Sequence, residues 1–106
     1  MSDDVEIWVV AGRFQARSGR EAELAGVLAT YVVLTRGVEG CRNVDLVASA
    51  STPGRLLVIE KWDDADAQRA HLDSDVMVSM AKAATPLLAD APDLDLYAAI
   101  SAHDLE

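Results

Sequence analysis

The order in which strand-like and helix-like segments follow one another predicts an α+β fold. β-Branched and aromatic residues predict a first strand at residues 5–15, and an apolar stripe from Leu24 to Leu34 predicts a helix after it. Two further strands on either side of a turn, a helical region in two pieces and a last strand complete the order β-α-β-β-α-β. This order is typical of the ferredoxin-like sandwich, in which helices cover one face of an antiparallel sheet.

The first helix and the two strands after it have start and stop signals of their own. Ser18 with Glu21 three residues later matches the capping box, and Gly37 predicts a helix end in the left-handed conformation. Residues 41–49 alternate apolar and polar side chains, and residues 55–62 follow a Ser-Thr-Pro-Gly turn. The two segments are therefore predicted to form a hairpin.

Capping residues mark the two short helices of the second half. We expect Asp63 or Asp64 to start a helix that runs through His71, and Asp73 or Ser74 to start the next one. The apolar stripe of that next helix consists of Met77, Met80, Ala81 and Ala84. The alternating apolar residues of the last strand are Leu94, Leu96, Ala98 and Ile100.

The first and third strands are apolar on both of their faces. Residues 5–14 form an almost continuous apolar run, and the third strand has four consecutive apolar residues at 56–59. Strands of this kind are normally buried on both sides, whereas the helices of this fold cover only one face. A bare apolar sheet face exceeds what a monomer usually exposes, so the sequence predicts a homodimer formed through the sheet.

Composition restricts the class of protein and its partners. The 106 residues are enough for a single domain, residues 1–106, and the net charge of −9 disfavours nucleic acid and anionic membranes as partners. One cysteine, Cys41, cannot form an internal disulfide. With an acidic N-terminus and no membrane-spanning apolar run, this predicts a cytoplasmic protein.

No ligand set or nucleotide-binding loop stands out in the sequence. The two histidines, His71 and His103, lie far apart and outside any known ligand spacing, and there is no Gly-rich phosphate loop. The sequence therefore predicts neither a metal nor a cofactor.

The segment from Ile59 to His71 holds the candidate site residues. Glu60 and Trp62 share one face of the third strand by alternation, and the short helix can fold back to bring His71 over the sheet. Tyr31 on the first helix and Tyr97 on the last strand can join this pocket from its sides. Core packing explains each of these residues singly; for Glu60, Trp62 and His71 together, packing and catalysis both stay open.

At this segment the chain resembles the antibiotic biosynthesis monooxygenase superfamily of dimeric α+β barrels. The resemblance rests on Glu60-x-Trp62 followed by Ala67 and His71, on Val38-Glu39-Gly40-Cys41, and on the opening residues 10–24. It implies a homodimer in which each protomer holds a pocket between sheet and helices.

Some members of that superfamily oxygenate polycyclic phenols or quinols with molecular oxygen and neither metal nor flavin. The resemblance therefore implies a cofactor-independent monooxygenase acting on a small aromatic, phenol or quinol. Trp62 and His71 would be the catalytic pair, with His71 as the best candidate for the base. The alternative is a non-catalytic or isomerase-like dimeric barrel that binds a small metabolite.

Haem degradation, which other members perform, is not expected. Those members carry Asn on the first strand, Trp late in the short helix and His in the next helix. The corresponding residues here are Gly12, His71 and Ala81, so all three positions differ.

Overall fold

A computed structural model describes residues 7–101 and shows, within them, a four-stranded antiparallel sheet with helices packed against one face. The strand order is β2-β3-β1-β4, and every neighbouring pair is antiparallel. The predicted α+β, ferredoxin-like fold is confirmed. The elements are β1 Trp8–Gln15, α1 Glu21–Arg36, β2 Cys41–Ala48, β3 Arg55–Trp62, α2 Ala65–Leu72, α3 Asp75–Ala84, a 3-10 turn Thr85–Leu87 and β4 Asp93–Ala98.

The core lies between the helices and the face of the sheet that they cover. Leu24 and Leu28 of α1 are fully buried against this face, as is Val44 of β2. The first two residues of the predicted first strand, 5 and 6, and His103 lie outside the described residues. None of the helices within residues 7–101 is long and apolar enough to cross a membrane.

The two short helices begin at residues named from the sequence. The Asp64 carboxylate accepts a hydrogen bond from the Ala67 amide at 2.8 Å, and the Ser74 hydroxyl accepts one from the Met77 amide at 3.2 Å. Each cap satisfies an amide that the first helical turn leaves without a partner. Of the alternatives considered for each helix, Asp64 and Ser74 are the ones realised.

The capping box predicted for α1 is wrong. The helix begins at Glu21, so the N-cap position falls on Arg20, which makes no side-chain cap. Ser18 lies too far before the helix to serve. The Arg20 guanidinium instead pairs with the Glu23 carboxylate in the first helical turn.

Gly37 ends α1 as predicted but not in the predicted conformation. Its φ is −89°, outside the left-handed region, whereas Gly40 three residues later has a φ of +88°. A Cβ on Gly40 would lie 2.5 Å from the Ala67 Cβ. Gly40 therefore lets the start of β2 approach α2 closely.

Two details of the predicted apolar patterns are also wrong. Ala81 is exposed, because α3 turns the side carrying Met80 and Ala84 towards the core. Ile100 lies beyond the end of β4 and is 97% exposed, so it has no strand neighbour to pack against.

The opposite face of the sheet, called here the open face, is not covered by any element within residues 7–101. Side chains of directly paired strand residues point to the same side, and alternate residues point to opposite sides. The register therefore puts the following residues on the open face: Val9, Ala11, Arg13 and Gln15 of β1, Asn43, Asp45 and Val47 of β2, Arg55, Leu57, Ile59 and Lys61 of β3, and Asp93, Asp95 and Tyr97 of β4.

Gly40→Ala is expected to destabilise the fold more than Gly19→Ala. Both glycines have a positive φ, so either alanine strains the backbone by about 1 kcal/mol. Only Gly40 also has a close neighbour, the Ala67 Cβ, and that overlap adds about 1–3 kcal/mol. Urea unfolding of the two variants measures the difference, and equal losses would contradict the close approach of β2 to α2.

Candidate functional site

The side chains of Glu60 and Trp62 point from β3 into the space under the helices. Glu60 lies opposite Val10 of β1 and Val44 of β2, and these neighbours are buried on the helix side of the sheet. Trp62, two residues further along, shares this direction. Glu60 is only 4% exposed and Trp62 is fully buried, so an ionisable carboxyl group sits inside the core.

Two neutral donors hold the Glu60 carboxylate. The Trp62 indole Nε1–H donates to Oε1 at 3.0 Å, and the Tyr31 hydroxyl of α1 donates to Oε2. A buried carboxylate is tolerated only when it is hydrogen-bonded in this way. Each carboxylate oxygen accepts one of these bonds and keeps acceptor capacity for another group.

His71 extends this arrangement behind Tyr31. Its Nε2 lies 2.8 Å from the Tyr31 oxygen. Because the single hydroxyl proton of Tyr31 is directed to Glu60, the Tyr31 oxygen accepts from His71, which places a proton on Nε2. The four residues, called here the carboxylate network, therefore form one chain of hydrogen bonds: Trp62 to Glu60, Tyr31 to Glu60, and His71 to Tyr31.

The His71 ring packs against two aromatic neighbours. Its centroid lies 4.8 Å from that of Trp62 and 5.6 Å from that of Tyr31. The Ser74 hydroxyl donates to the His71 carbonyl oxygen at 2.7 Å, and the Thr35 hydroxyl is 3.4 Å from Nε2. His71 is 2% exposed and cannot rotate freely.

Burial and the Glu60 charge set the protonation of the network. Burial lowers the pKa of His71, an effect that the Glu60 charge only partly opposes, so the ring is neutral near pH 7. Burial, then the Glu60 charge and its hydrogen bond, raise the pKa of Tyr31 far above the ordinary range, which keeps the hydroxyl protonated. Tyr31 is therefore a permanent donor to Glu60.

A cavity of about 230 Å³ lies between the sheet and the helices, next to this network. Glu60 and Tyr31 form part of its wall, and most of the remaining wall is apolar. The other lining residues are Val10, Gly12, Phe14, Val58, Gln68, Leu72, Met77, Met80, Leu94, Asp95 and Leu96.

His71 and Trp62 do not line this cavity, although the sequence hypothesis placed both of them in its wall. They are packed one layer behind, where the rings contact each other. His71 instead borders a separate surface depression, together with Gly40 and Ser74. Of the predicted residues, Glu60 and Tyr31 are the two that face the cavity.

The prediction that Tyr97 joins the pocket does not hold. Tyr97 pairs with Val9, so its side chain points to the open face, and its hydroxyl donates to the Asp95 carboxylate at 3.1 Å. The neighbours on β4 that point towards the cavity are Leu94 and Leu96, which lie on the other parity of the strand.

Gly12 lets the side chains of Leu94 and Phe14 approach the β1 backbone closely in the cavity wall. A Cβ at this position would lie 2.8 Å from Leu94 Cδ2 and 3.2 Å from Phe14 Cε1. Leu94 and Leu96 of the edge strand β4 are about half exposed, so this side of the cavity is open.

Two polar residues of the cavity wall, Gln68 of α2 and Asp95 of β4, were not among the residues predicted from the sequence. Gln68 is 7% exposed and lies three residues before His71. Residues three apart share a helix face, so this spacing was the available signal. Within residues 7–101, no group of three or more His, Cys, Asp or Glu side chains is placed to hold a metal ion.

Fold and site together define a small α+β protein with an apolar cavity and a buried carboxylate in its wall. The family model for antibiotic biosynthesis monooxygenases matches residues 7–83. The chain belongs to this family. A search of curated proteins found no match.

Solved structures with the same fold cover almost the whole chain. A candidate antibiotic biosynthesis monooxygenase from Deinococcus radiodurans is 25% identical, with a TM-score of 0.83 and coverage of 93% of this chain and 98% of that one. One from Caulobacter crescentus is 22% identical, with a TM-score of 0.84 and coverage of 91% and 92%. A protein of unknown function from Nitrosomonas europaea is 21% identical, with a TM-score of 0.86 and coverage of 98% and 99%.

The protonation of His71 provides a direct test of the carboxylate network. We expect its pKa to lie below 6.5, with the proton of the neutral ring on Nε2. In Glu60→Gln the pKa should fall further, because the charge that opposes the effect of burial is gone. Long-range ¹H–¹⁵N spectra recorded across pH report both the pKa and the tautomer, with His71→Gln assigning the signals.

The same shift predicts how stability depends on pH. Since the folded-state pKa of His71 is lower than the unfolded one, its contribution to stability is present above pH 6.5 and is lost as the pH falls through and below that value. A His71 pKa above 6.5, or a His71 pKa that Glu60→Gln leaves unchanged, would contradict the carboxylate network.

Proposed function

We propose that the chain is a cofactor-independent monooxygenase that oxidises a small aromatic, phenol or quinol with molecular oxygen in the cavity. The observation that carries this proposal is the Glu60 carboxylate in the wall of a largely apolar cavity. An apolar cavity suits an aromatic ring, and a carboxylate can accept the proton of its hydroxyl group. Membership of the family supports the type of reaction.

The reaction we propose balances without another reactant. A phenol and one molecule of oxygen give a quinone and water. Removal of the hydroxyl proton gives a phenolate, which passes one electron to oxygen, and the two radicals combine to form a carbon–oxygen bond. The outer peroxide oxygen takes the proton from that carbon and leaves as hydroxide when the O–O bond breaks, so a carbonyl group remains. The departing hydroxide takes up the proton removed first and becomes water.

Glu60 is the base that the cavity favours, in place of His71. Its carboxylate oxygens still have acceptor capacity on the cavity side, whereas His71 lies behind Tyr31. His71 then acts as a positioning residue: by donating to the Tyr31 oxygen, it directs the Tyr31 proton to Glu60. Trp62 likewise holds the second carboxylate oxygen in place.

The second candidate is a non-catalytic or isomerase-like barrel that binds a small metabolite. The same geometry supports it, since a carboxylate in an apolar cavity can also move a proton between two carbon atoms of a ligand. The two functions differ in whether oxygen is consumed.

Oxygen uptake with a panel of anthrones, hydroquinones and naphthols tests the proposal. We expect uptake above the spontaneous rate, and Glu60→Gln should lower turnover by about 10²–10⁴-fold because the base is lost. His71→Ala should lower it less, since Glu60 stays in the cavity wall. Glu39→Gln, which changes an exposed carboxylate, is the matched control and should leave turnover unchanged. Uptake that Glu60→Gln leaves intact would remove Glu60 as the base.

The open face supports the further proposal that two chains form a homodimer through their sheets. Its centre is apolar, with Ala11, Leu57 and Ile59 among its residues. Its margin carries charges of both signs, so one copy of the face can complement another. The charged residues are Arg13, Arg55, Lys61, Asp45, Asp93 and Asp95.

Ile59→Asp is expected to convert the dimer to a monomer. An obligate interface buries roughly 2,000 Å² or more, and an unpaired charge at its centre is strongly unfavourable. Light scattering should give twice the chain mass of 11.3 kDa for the unmodified protein and the single chain mass for the variant. Val33→Asp changes an exposed apolar residue of α1 and should remain dimeric. An unmodified protein that is monomeric at micromolar concentration would refute the dimer.

A further inference from the structure

Gln68 is a buried polar residue whose partner is missing from the described part of the chain. Its side chain is 7% exposed and lies in the cavity wall. Within residues 7–101 its backbone amide bonds to the Asp64 carbonyl oxygen, but its carboxamide makes no hydrogen bond. Burying an amide without a partner is unfavourable, so such a group calls for an explanation.

The carboxamide is open to the cavity and not sealed in the core. No fully enclosed side-chain nitrogen or oxygen within the described residues lacks a hydrogen bond. Since the Gln68 carboxamide has none, its polar atoms must reach free space, and the cavity is the space that its side chain lines. The group is therefore placed to bind whatever enters.

Glu60 and Gln68 are the two polar attachment points that the cavity wall offers from its described residues. Tyr31 also lines the cavity, but its proton goes to Glu60 and its oxygen accepts from His71. The Asp95 carboxylate accepts from Tyr97 on the open face. The rest of the wall is formed by apolar residues and glycine.

We propose that the Gln68 carboxamide binds a second oxygen of the ligand while the first, a hydroxyl group, bonds to Glu60. The choice of an aromatic ligand rests on the proposed function. Glu60 accepts and so requires an O–H group, whereas a carboxamide can donate to a carbonyl or accept from a hydroxyl. The substrate class narrows from phenols in general to aromatic compounds with two oxygen substituents, and Gln68 becomes the residue that selects and orients them.

Gln68→Met tests this role, because methionine keeps the length of the side chain and removes its polar atoms. Calorimetry without oxygen compares 1-naphthol with 1,5- and 1,8-dihydroxynaphthalene. The variant should bind the better of the two diols about tenfold more weakly than the unmodified protein does, because a ligand hydroxyl loses its partner. Its affinity for 1-naphthol should stay within twofold of that of the unmodified protein. Equal weakening of mono-ol and diols, no weakening, or no binding of any of them would overturn the proposal.

Stability of the free protein gives a readout that needs no ligand. If Gln68 serves a ligand, Gln68→Met should keep or raise Tm, because it replaces unpartnered polar atoms with apolar ones. Gln15→Met is the matched control: the Gln15 carboxamide donates to the Pro53 carbonyl oxygen at 2.9 Å, so its loss should lower Tm. A fall in Tm of several degrees for Gln68→Met would show a structural role and overturn the proposal.

Neither test depends on turnover, so the two proposals fail separately. Diol binding that requires Gln68 without any oxygen consumption would refute the oxygenase and keep the role of Gln68. Oxygen consumption, together with diol binding that Gln68→Met leaves unchanged, would keep the oxygenase and refute the role of Gln68.

Discussion

The burial of the Glu60 carboxylate is the constraint on which the rest of the site depends. An ionised carboxyl group inside the core is very unfavourable unless donors compensate for the lost water. Here Trp62 supplies one donor from the same strand and Tyr31 supplies the other from α1. The Glu60 carboxylate therefore keeps both donors only when β3 has the correct register and α1 lies in the correct position. Removing one of these donors should destabilise the fold as well as the site.

The short helix α2 holds the network together from outside. Asp64 caps its start, Gly40 lets β2 pass close to Ala67, and His71 near its end reaches Tyr31. This arrangement explains why His71 is buried without touching the cavity: it fixes the direction of the Tyr31 proton. The cavity is left with a carboxylate and a carboxamide as its free polar groups in an otherwise mostly apolar wall.

Local sequence rules predicted the strands and the caps of the two short helices, and missed the caps of α1 and the packing between elements. Alternation was sufficient to put Glu60 and Trp62 on one face, and cap residues located both short helices. The alternation of Leu94, Leu96 and Ala98 puts Tyr97 on the opposite side of β4, so the local sequence held the signal that Tyr97 turns away from the pocket. The rotation of α2 about its axis, in contrast, depends on contacts with Trp62 and Tyr31, and it decides that Gln68 faces the cavity while His71 packs behind Tyr31.

The central claim is that this cavity brings a deprotonated aromatic together with oxygen, and isotope labelling tests it most directly. Turnover of anthrone under ¹⁸O₂ should give a quinone with one labelled carbonyl oxygen, and one molecule of oxygen should be consumed for each molecule of substrate. The label should enter faster than it does spontaneously, and Glu60→Gln should abolish this acceleration. A product without label, or labelling no faster than without the protein for every aromatic that binds, would contradict the account.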